Sequence, residues 1–167
     1  SRKLREGNRA FIIRNLIGAK QVNIGEIYKR VILVAHNLSP AETSQIQLEK
    51  IKAFVTDKGS MSSHTAIVAR TLEIPAVLGL ADASHIIQND DVIIVDGMLG
   101  MVVIHPEEQT LIDFAERKDK YDEYMAAITR TGHFPAKTTD GIHLKIMGNI
   151  ELHEEVVSVL KYGGDGI

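Results

Sequence analysis

Cysteine and tryptophan are both missing from the 167 residues, and there are only 4 prolines. Without cysteine there can be no disulfide, thiolate-bound zinc, iron–sulfur cluster or thiol nucleophile. The absence also fits a reducing compartment, so a cytoplasmic location is expected. No apolar run approaches the roughly 18 residues a membrane span needs. The charged start Ser1-Arg2-Lys3-Leu4-Arg5-Glu6 is not a signal peptide. A strong charge of one sign is lacking too: 19 Lys+Arg against 22 Asp+Glu leave −3. That argues against nucleic acid as a partner, since dedicated binders are usually basic. What is present is 44% apolar and 25% charged residues, enough for a buried core and too apolar for wholesale disorder. The length fits one domain, or one small domain with appended pieces.

Residues 1–17 read as a helix with Leu4, Ala10, Phe11, Leu16 and Ile17 as its apolar positions, stopped by Gly18. Val31–Ala35 is a continuous apolar run rich in β-branched residues, the mark of a strand buried on both faces. Next comes a capping box with Ser39 as N-cap, Pro40 as first helical residue and Glu42 as third. Ala53–Thr56 is a strand, Asp57 to Ser60 turn chemistry, and Ser62 or Ser63 caps a helix reaching about Leu72, ahead of Pro75. Ala76–Leu78 and Val92–Val95 are further strands. Met101–Ile104 is expected to pair with the latter as a hairpin around Asp96, Gly97 and Gly100. Strands alternating with short helices over 31–104 indicate a compact α/β domain.

The texture then changes. Glu107 to Arg130 contains no Gly or Pro, and Leu111, Phe114, Ala115, Tyr121, Met125 and Ile128 make a helical stripe. Such a helix is roughly 36 Å long, more than a small domain needs, and reads as a connector. A new unit then opens with an expected strand at Ile142–Met147 and a helix from Glu151 to Tyr162, as in the first piece of a βα repeat.

Chemistry concentrates in Gly59-Ser60-Met61-Ser62-Ser63-His64-Thr65-Ala66-Ile67-Val68-Ala69-Arg70. A strand ends, a glycine turns the chain, hydroxyl residues cap a helix, and a histidine stands in its first turn. A helix N-terminus offers free N–H donors and a partial positive charge, a ready anion site. Its field also favours the neutral, nucleophilic imidazole. A neutral histidine at an anion site suits attack on a phosphoryl group. The same donors stabilise the phosphohistidine by about 0.3–1 kcal/mol, or up to about 2 if partly buried.

This segment resembles the phosphohistidine signature of the phosphoenolpyruvate-utilising enzymes, close to Gly-Gly-x-Thr-Ser-His-x-Ala-Ile-x-Ala-Arg, with Ile74-Pro75-Ala76-Val77-Leu78-Gly79 matching the stretch that follows. Within that superfamily the chain is most similar to enzyme I of the phosphoenolpyruvate–sugar phosphotransferase system. The flanks support this: Val31–Ala35 leading to Leu38–Thr43, Asn89-Asp90-Asp91 before a strand, His105-Pro106 before a long helix, and Gly163-Gly164-Asp165-Gly166-Ile167. The resemblance implies an α/β fold: a compact swivelling phosphohistidine domain, a long linker helix, and the first βα piece of a (β/α)8 barrel. Residues 1–17 would end the helical region that binds the carrier protein HPr. Residues 18–104 would be the phosphohistidine domain, 105–135 the linker and 136–167 the start of the barrel. The barrel of the whole enzyme would bind phosphoenolpyruvate and Mg²⁺ and make a homodimer, with no metal site in this chain. The domain's opening strand would lie upstream, leaving a sheet edge open to dimerisation or strand exchange.

Carried over residue by residue, the resemblance makes His64 the phosphoryl acceptor and donor. Gly59 shapes the loop, and Ser62, Ser63 and Thr65 supply hydroxyl or backbone donors around the phosphate. Arg70 is either a charge contact to the phosphoryl group or a partner, or a solvated helix arginine. Ser39 stands where the family usually has Thr; it either bonds the imidazole's second nitrogen, serves as N-cap, or does both. Ser60 replaces the second glycine of the signature and would be strained if that position needs φ > 0. Ser62 keeps the hydroxyl of the usual Thr. Met61 stands where enzyme I often has Arg and the dikinases commonly have Met. Two other readings stay open: the mobile domain of a pyruvate phosphate dikinase or phosphoenolpyruvate synthase, and a binding module whose phosphorylation Ser60 has ended. His36, His85, His105, His133, His143 and His153 have no metal-ligand spacing and read as surface or packing residues. Asp90 and Asp91 read as a solvated turn.

Overall fold

A computed structural model describes residues 10–13, 31–43, 46–150, 153 and 155–167. Its centre is a four-stranded parallel sheet of β1 (Ala10–Ile13), β2 (Val31–Ala35), β3 (Ile51–Thr56) and β4 (Ala76–Leu78), in that spatial order. Alternation along β2 and β3 builds two cores. Leu33, Ala35 and Phe54 face Leu38, Ile46 and Ala69 on one side. Ile32, Val34, Ala53 and Val55 face Ala83, Ile87 and Ile93 on the other. A strand clothed on both sides reads as an unbroken apolar run, which is the pattern Val31–Ala35 carries.

Between the strands run the short helices α1 (Pro40–Thr43), α2 (His64–Thr71) and α3 (Ala83–Ile86). The capping box of α1 forms as expected. Ser39 N–H and its hydroxyl each donate to Glu42 Oε2 at 2.7 Å, and Glu42 N–H donates back to Ser39 Oγ at 3.3 Å. The hairpin also forms: β5 (Ile93–Asp96) and β6 (Met101–Ile104) pair antiparallel, Ile93 with Ile104 and Asp96 with Met101. Asp96 Oδ1 organises its turn by accepting the N–H groups of Met98 and Leu99, both at 2.9 Å.

Two expectations fail. Residues 10–13 are strand β1, not helix, and the rest of 1–17 lies outside the described residues. Phe11-Ile12-Ile13 suits a strand, and pairing Ala10 with Ile32 through to Ile13 with Ala35 satisfies the outer backbone groups of β2. Strand β1 covers the outer side of β2 and is itself the edge strand of the four-stranded sheet. No strand forms over 142–147: the segment has only isolated bridges, Lys137 with His143 and Met147 with Gly166. Ile142, Leu144, Ile146 and Met147 are all exposed, and an apolar run becomes a strand only where a neighbour offers a ladder.

The described residues fall into two compact units that meet within the long helix α4 (Glu108–Gly132), after Ile112. In the second unit, helix α5 (Glu155–Lys161) lies in the chain between two segments without regular structure. The parallel bridge from Met147 to Gly166 joins them, supported by Gly148 N–H to Gly166 O at 2.8 Å and Ile146 N–H to Asp165 Oδ2 at 2.8 Å. Gly132, at the end of α4, lies so close to Tyr162 that a Cβ there would stand 2.4 Å from the Tyr162 carbonyl oxygen. Only glycine fits.

Phe54 is fully buried at the centre of the sheet. Phe54→Ala is expected to cost about 4 kcal/mol, whereas Tyr124→Ala on the exposed face of α4 should change stability by less than about 0.5 kcal/mol. Urea denaturation of the two variants checks both.

Candidate active site

The strands are parallel and in register at one edge. Ala35 pairs with Thr56, and Thr56 with Leu78, so the segments that follow them all emerge together. Crevices outside the carboxyl ends of parallel strands are where α/β folds bind ligands. The segment leaving β3 carries the signature. Thr56 Oγ1 donates to Lys58 O at 2.6 Å, and Gly59 takes φ +122°. Ser60 Oγ lies 3.1 Å from Ser62 Oγ, and Ser63 N–H donates to Ser60 O at 3.0 Å.

Ser63, not Ser62, is the N-cap of α2. Its hydroxyl accepts Ala66 N–H at 3.3 Å and its carbonyl accepts Ile67 N–H at 3.1 Å. His64 is the first residue of the helix and is exposed, while Thr65 and Ala66 behind it are buried. Burial of two adjacent residues fixes the helix on the core, and the cap fixes its start. The imidazole is thus held at a defined place on the surface, beside first-turn N–H groups that have no intrahelical acceptor.

Arg70 folds back along α2. Its Nη1 donates to Met61 O at 3.4 Å, so the guanidinium stands over the loop that precedes His64. The structure thereby brings together Gly59, Ser62, Ser63, His64, Thr65 and Arg70 in one loop and helix start. Ser39 caps its own helix. Its hydroxyl proton goes to Glu42, which leaves the oxygen to accept from a protonated imidazole nitrogen. Strain at Ser60 does not arise, because the left-handed residue of the loop is Gly59 and Ser60 lies outside that region.

One group at this edge was missed. Asp57, read as a turn residue, has a fully buried side chain. Its carboxylate accepts Ser84 N–H at 2.8 Å and the Ser84 hydroxyl, and lies 3.0 Å from His36 Nδ1. Burial pushes its pKa up. The Ser84 hydroxyl, the Ser84 N–H and His36 more than offset that, and the net direction is below the ordinary carboxylate value. Only the position of Asp57 immediately after an apolar strand hinted at this, since its partners are 21 and 27 residues away. Asp91, read as solvated, likewise accepts Gln88 N–H and pairs with His105 Nε2 at 2.9 Å. Among the described residues, no group of three or more His, Asp or Glu is placed to hold a metal ion.

Comparison with known proteins agrees with this geometry. Residues 27–100 match the family model described as PEP-utilising enzyme, mobile domain. Relatives named phosphoenolpyruvate-protein phosphotransferase are 38% identical over 153 residues in Bacillus subtilis (strain 168) and 35% over 156 residues in Geobacillus stearothermophilus. Over residues 27–100 the chain is similar to the mobile domain of the PEP-utilising enzymes. Those alignments cover 92% and 93% of this chain but 27% of each relative, so the chain spans about a quarter of the length of the proteins it matches. The NMR solution structure of an Enzyme I (nEIt) protein is similar with a TM-score of 0.57 and 40% identity, over 60% of this chain and 41% of that one. The PEP-utilising mobile-domain match contains the whole His64 loop, the Asp57 network and Arg70.

The depressed pKa of Asp57 sets the sign of a pH effect. A carboxyl lowered in the folded state adds stability that is fully present above its unfolded value, near 3.8, and is lost as pH falls through the folded value. Asp57→Ala is expected to cost about 3 kcal/mol at neutral pH, because both Ser84 donors lose their acceptor. Its stability should then fall less steeply than the wild type's below pH about 4. Urea titrations between neutral and acid pH check both statements.

Proposed function

We propose that this chain is the histidine-bearing part of an enzyme I-type phosphoenolpyruvate–protein phosphotransferase, with His64 as the group that carries the phosphoryl. The observation that carries the reading is an exposed histidine as first residue of α2, at the edge where three parallel strands end, inside the matched mobile domain. Residues up to 104 would form the phosphohistidine domain, 105–135 the linker and 136–167 the opening of a barrel. The parallel bridge from Met147 to Gly166 on either side of α5 supports that last assignment.

In the first transfer the lone pair of a His64 ring nitrogen attacks phosphorus. The bond from phosphorus to the enol oxygen of phosphoenolpyruvate breaks, and the departing enolate takes up a proton to become pyruvate. In the second, a histidine nitrogen of HPr or a related carrier attacks the same phosphorus, and the N–P bond to His64 breaks. Phosphoryl transfer depends chiefly on positioning and electrostatic stabilisation. Ser62, Ser63 and Thr65 supply donors around the phosphoryl oxygens and Arg70 supplies charge. Mg²⁺ belongs in this reading to the barrel of the whole enzyme, where it would offset charge on phosphoenolpyruvate; the described residues of this chain do not fit it. A cytoplasmic location, service to sugar uptake and a homodimeric whole enzyme complete the proposal. They rest on the family likeness, together with the finding that no described helix is long and apolar enough to cross a membrane.

The chain, incubated with a separately produced enzyme I barrel, Mg²⁺ and phosphoenolpyruvate, should gain one acid-labile phosphoryl group by intact mass. His64→Ala should gain none. No uptake while an authentic mobile domain is labelled in parallel would contradict the proposal.

A further inference from the structure

We propose that Asp57 is a positioning residue for the His64 loop: its buried carboxylate, bonded to Ser84 and His36, locks the root from which residues 58–63 depart. The inference rests on His64 being the phosphoryl carrier, and adds a residue that does not touch the phosphoryl group.

Residues 58–62 are all exposed. Residues 58–63 carry the Ser60–Ser62 hydroxyl pair and Ser63 N–H to Ser60 O, Thr56 Oγ1 holds Lys58 O at 2.6 Å, and Arg70 adds one bond at 3.4 Å. Exposed backbone with few packed contacts opens at little cost. The helix behind His64 is held by its cap and its buried face; the loop in front of it is held chiefly where it is rooted.

At that root Asp57 joins three chain segments. Its N–H donates to Ala35 O at 3.2 Å, and Lys58 N–H donates to His36 O at 3.0 Å, tying the root to the end of β2. Its carbonyl accepts Ala81 N–H at 3.1 Å, and Thr56 O accepts Leu80 N–H at 3.1 Å, tying it to the segment after β4. The carboxylate repeats both ties through side chains: His36 on the β2 side, and the hydroxyl and N–H of Ser84 at the start of α3. The loop then lies against that held segment, close enough that a Cβ on Gly79 would stand 3.3 Å from Gly59 O. Ala81, at φ +64°, is a left-handed residue in the same segment. Backbone strain of this kind persists only where the surroundings over-determine the conformation.

The test compares wild type with Asp57→Asn, Ser84→Ala and His36→Gln by amide hydrogen exchange and by phosphoryl transfer from a carrier protein phosphorylated on histidine. The reporting amides are Ser63, Ala66 and Ile67, bonded to Ser60 O, Ser63 Oγ and Ser63 O; the control is Phe54, bonded to Pro75 O. Positioning predicts that the reporting amides exchange about tenfold faster in Asp57→Asn, over and above any change at Phe54. The maximal transfer rate should fall at least about tenfold, with the carrier's KM unchanged. Ser84→Ala, which keeps the carboxylate, the backbone N–H at that position and His36, should show both effects more weakly. Equal acceleration of all four amides, or no change at the reporting three, would overturn the proposal. If Asp57→Asn does not fold, Ser84→Ala and His36→Gln decide by the same criteria. If wild type accepts no phosphoryl group, the function fails, and the exchange comparison alone still decides whether Asp57 holds the loop.

Discussion

Because Ala35, Thr56 and Leu78 stand side by side at the ends of three parallel strands, the chain leaves the sheet three times at one edge. The parallel register is the constraint on which the site depends. It sets the loop after β3, which carries His64, between the turn that leads to α1 and the turn that leads to α3. Both cores serve it. Leu33 and Phe54 anchor the α2 side through Ala69, and Val34 and Val55 anchor the α3 side through Ala83 and Ile87. Apolar burial sets where the strands lie, and a few polar bonds at their ends set where the loops go.

Two polar devices do that work by different physics. The cap at Ser63 acts locally, giving Ala66 and Ile67 N–H groups acceptors and leaving His64 outermost. The Asp57 network acts across the sheet. It removes a carboxylate from water, which is costly, and compensates with two Ser84 donors and His36. Those donors more than offset the cost, so the folded state favours the charged carboxylate. The exposed imidazole and its hydroxyl neighbours make up a small site.

Local features were legible in the sequence, and non-local ones were not. Val31–Ala35 and Ala76–Leu78 appear as strands at their expected residues, and the Ser39–Pro40–Glu42 box forms bond for bond. Each is decided by neighbours a few positions away. The helix carrying His64 was legible for the same reason, although the choice between Ser62 and Ser63 as its cap needed coordinates. Ala10–Ile13 was misread because its four apolar or small residues fit either period, and only the open edge of β2 decides between them. Ile142–Met147 has strand-like composition but no ladder to join. The carboxylate of Asp57 was hidden by distance along the chain: neither His36 nor Ser84 can be connected with it by any local pattern.

The central claim is that the imidazole at the start of α2 bears the phosphoryl group. Its most direct measurement is nuclear magnetic resonance of the ¹⁵N-histidine-labelled chain after phosphoryl transfer, reading the coupling between phosphorus and ring nitrogen. The account predicts coupling to a ring nitrogen of His64 and to no other histidine. Coupling to His36 or to another histidine, with His64 unmodified, would contradict it.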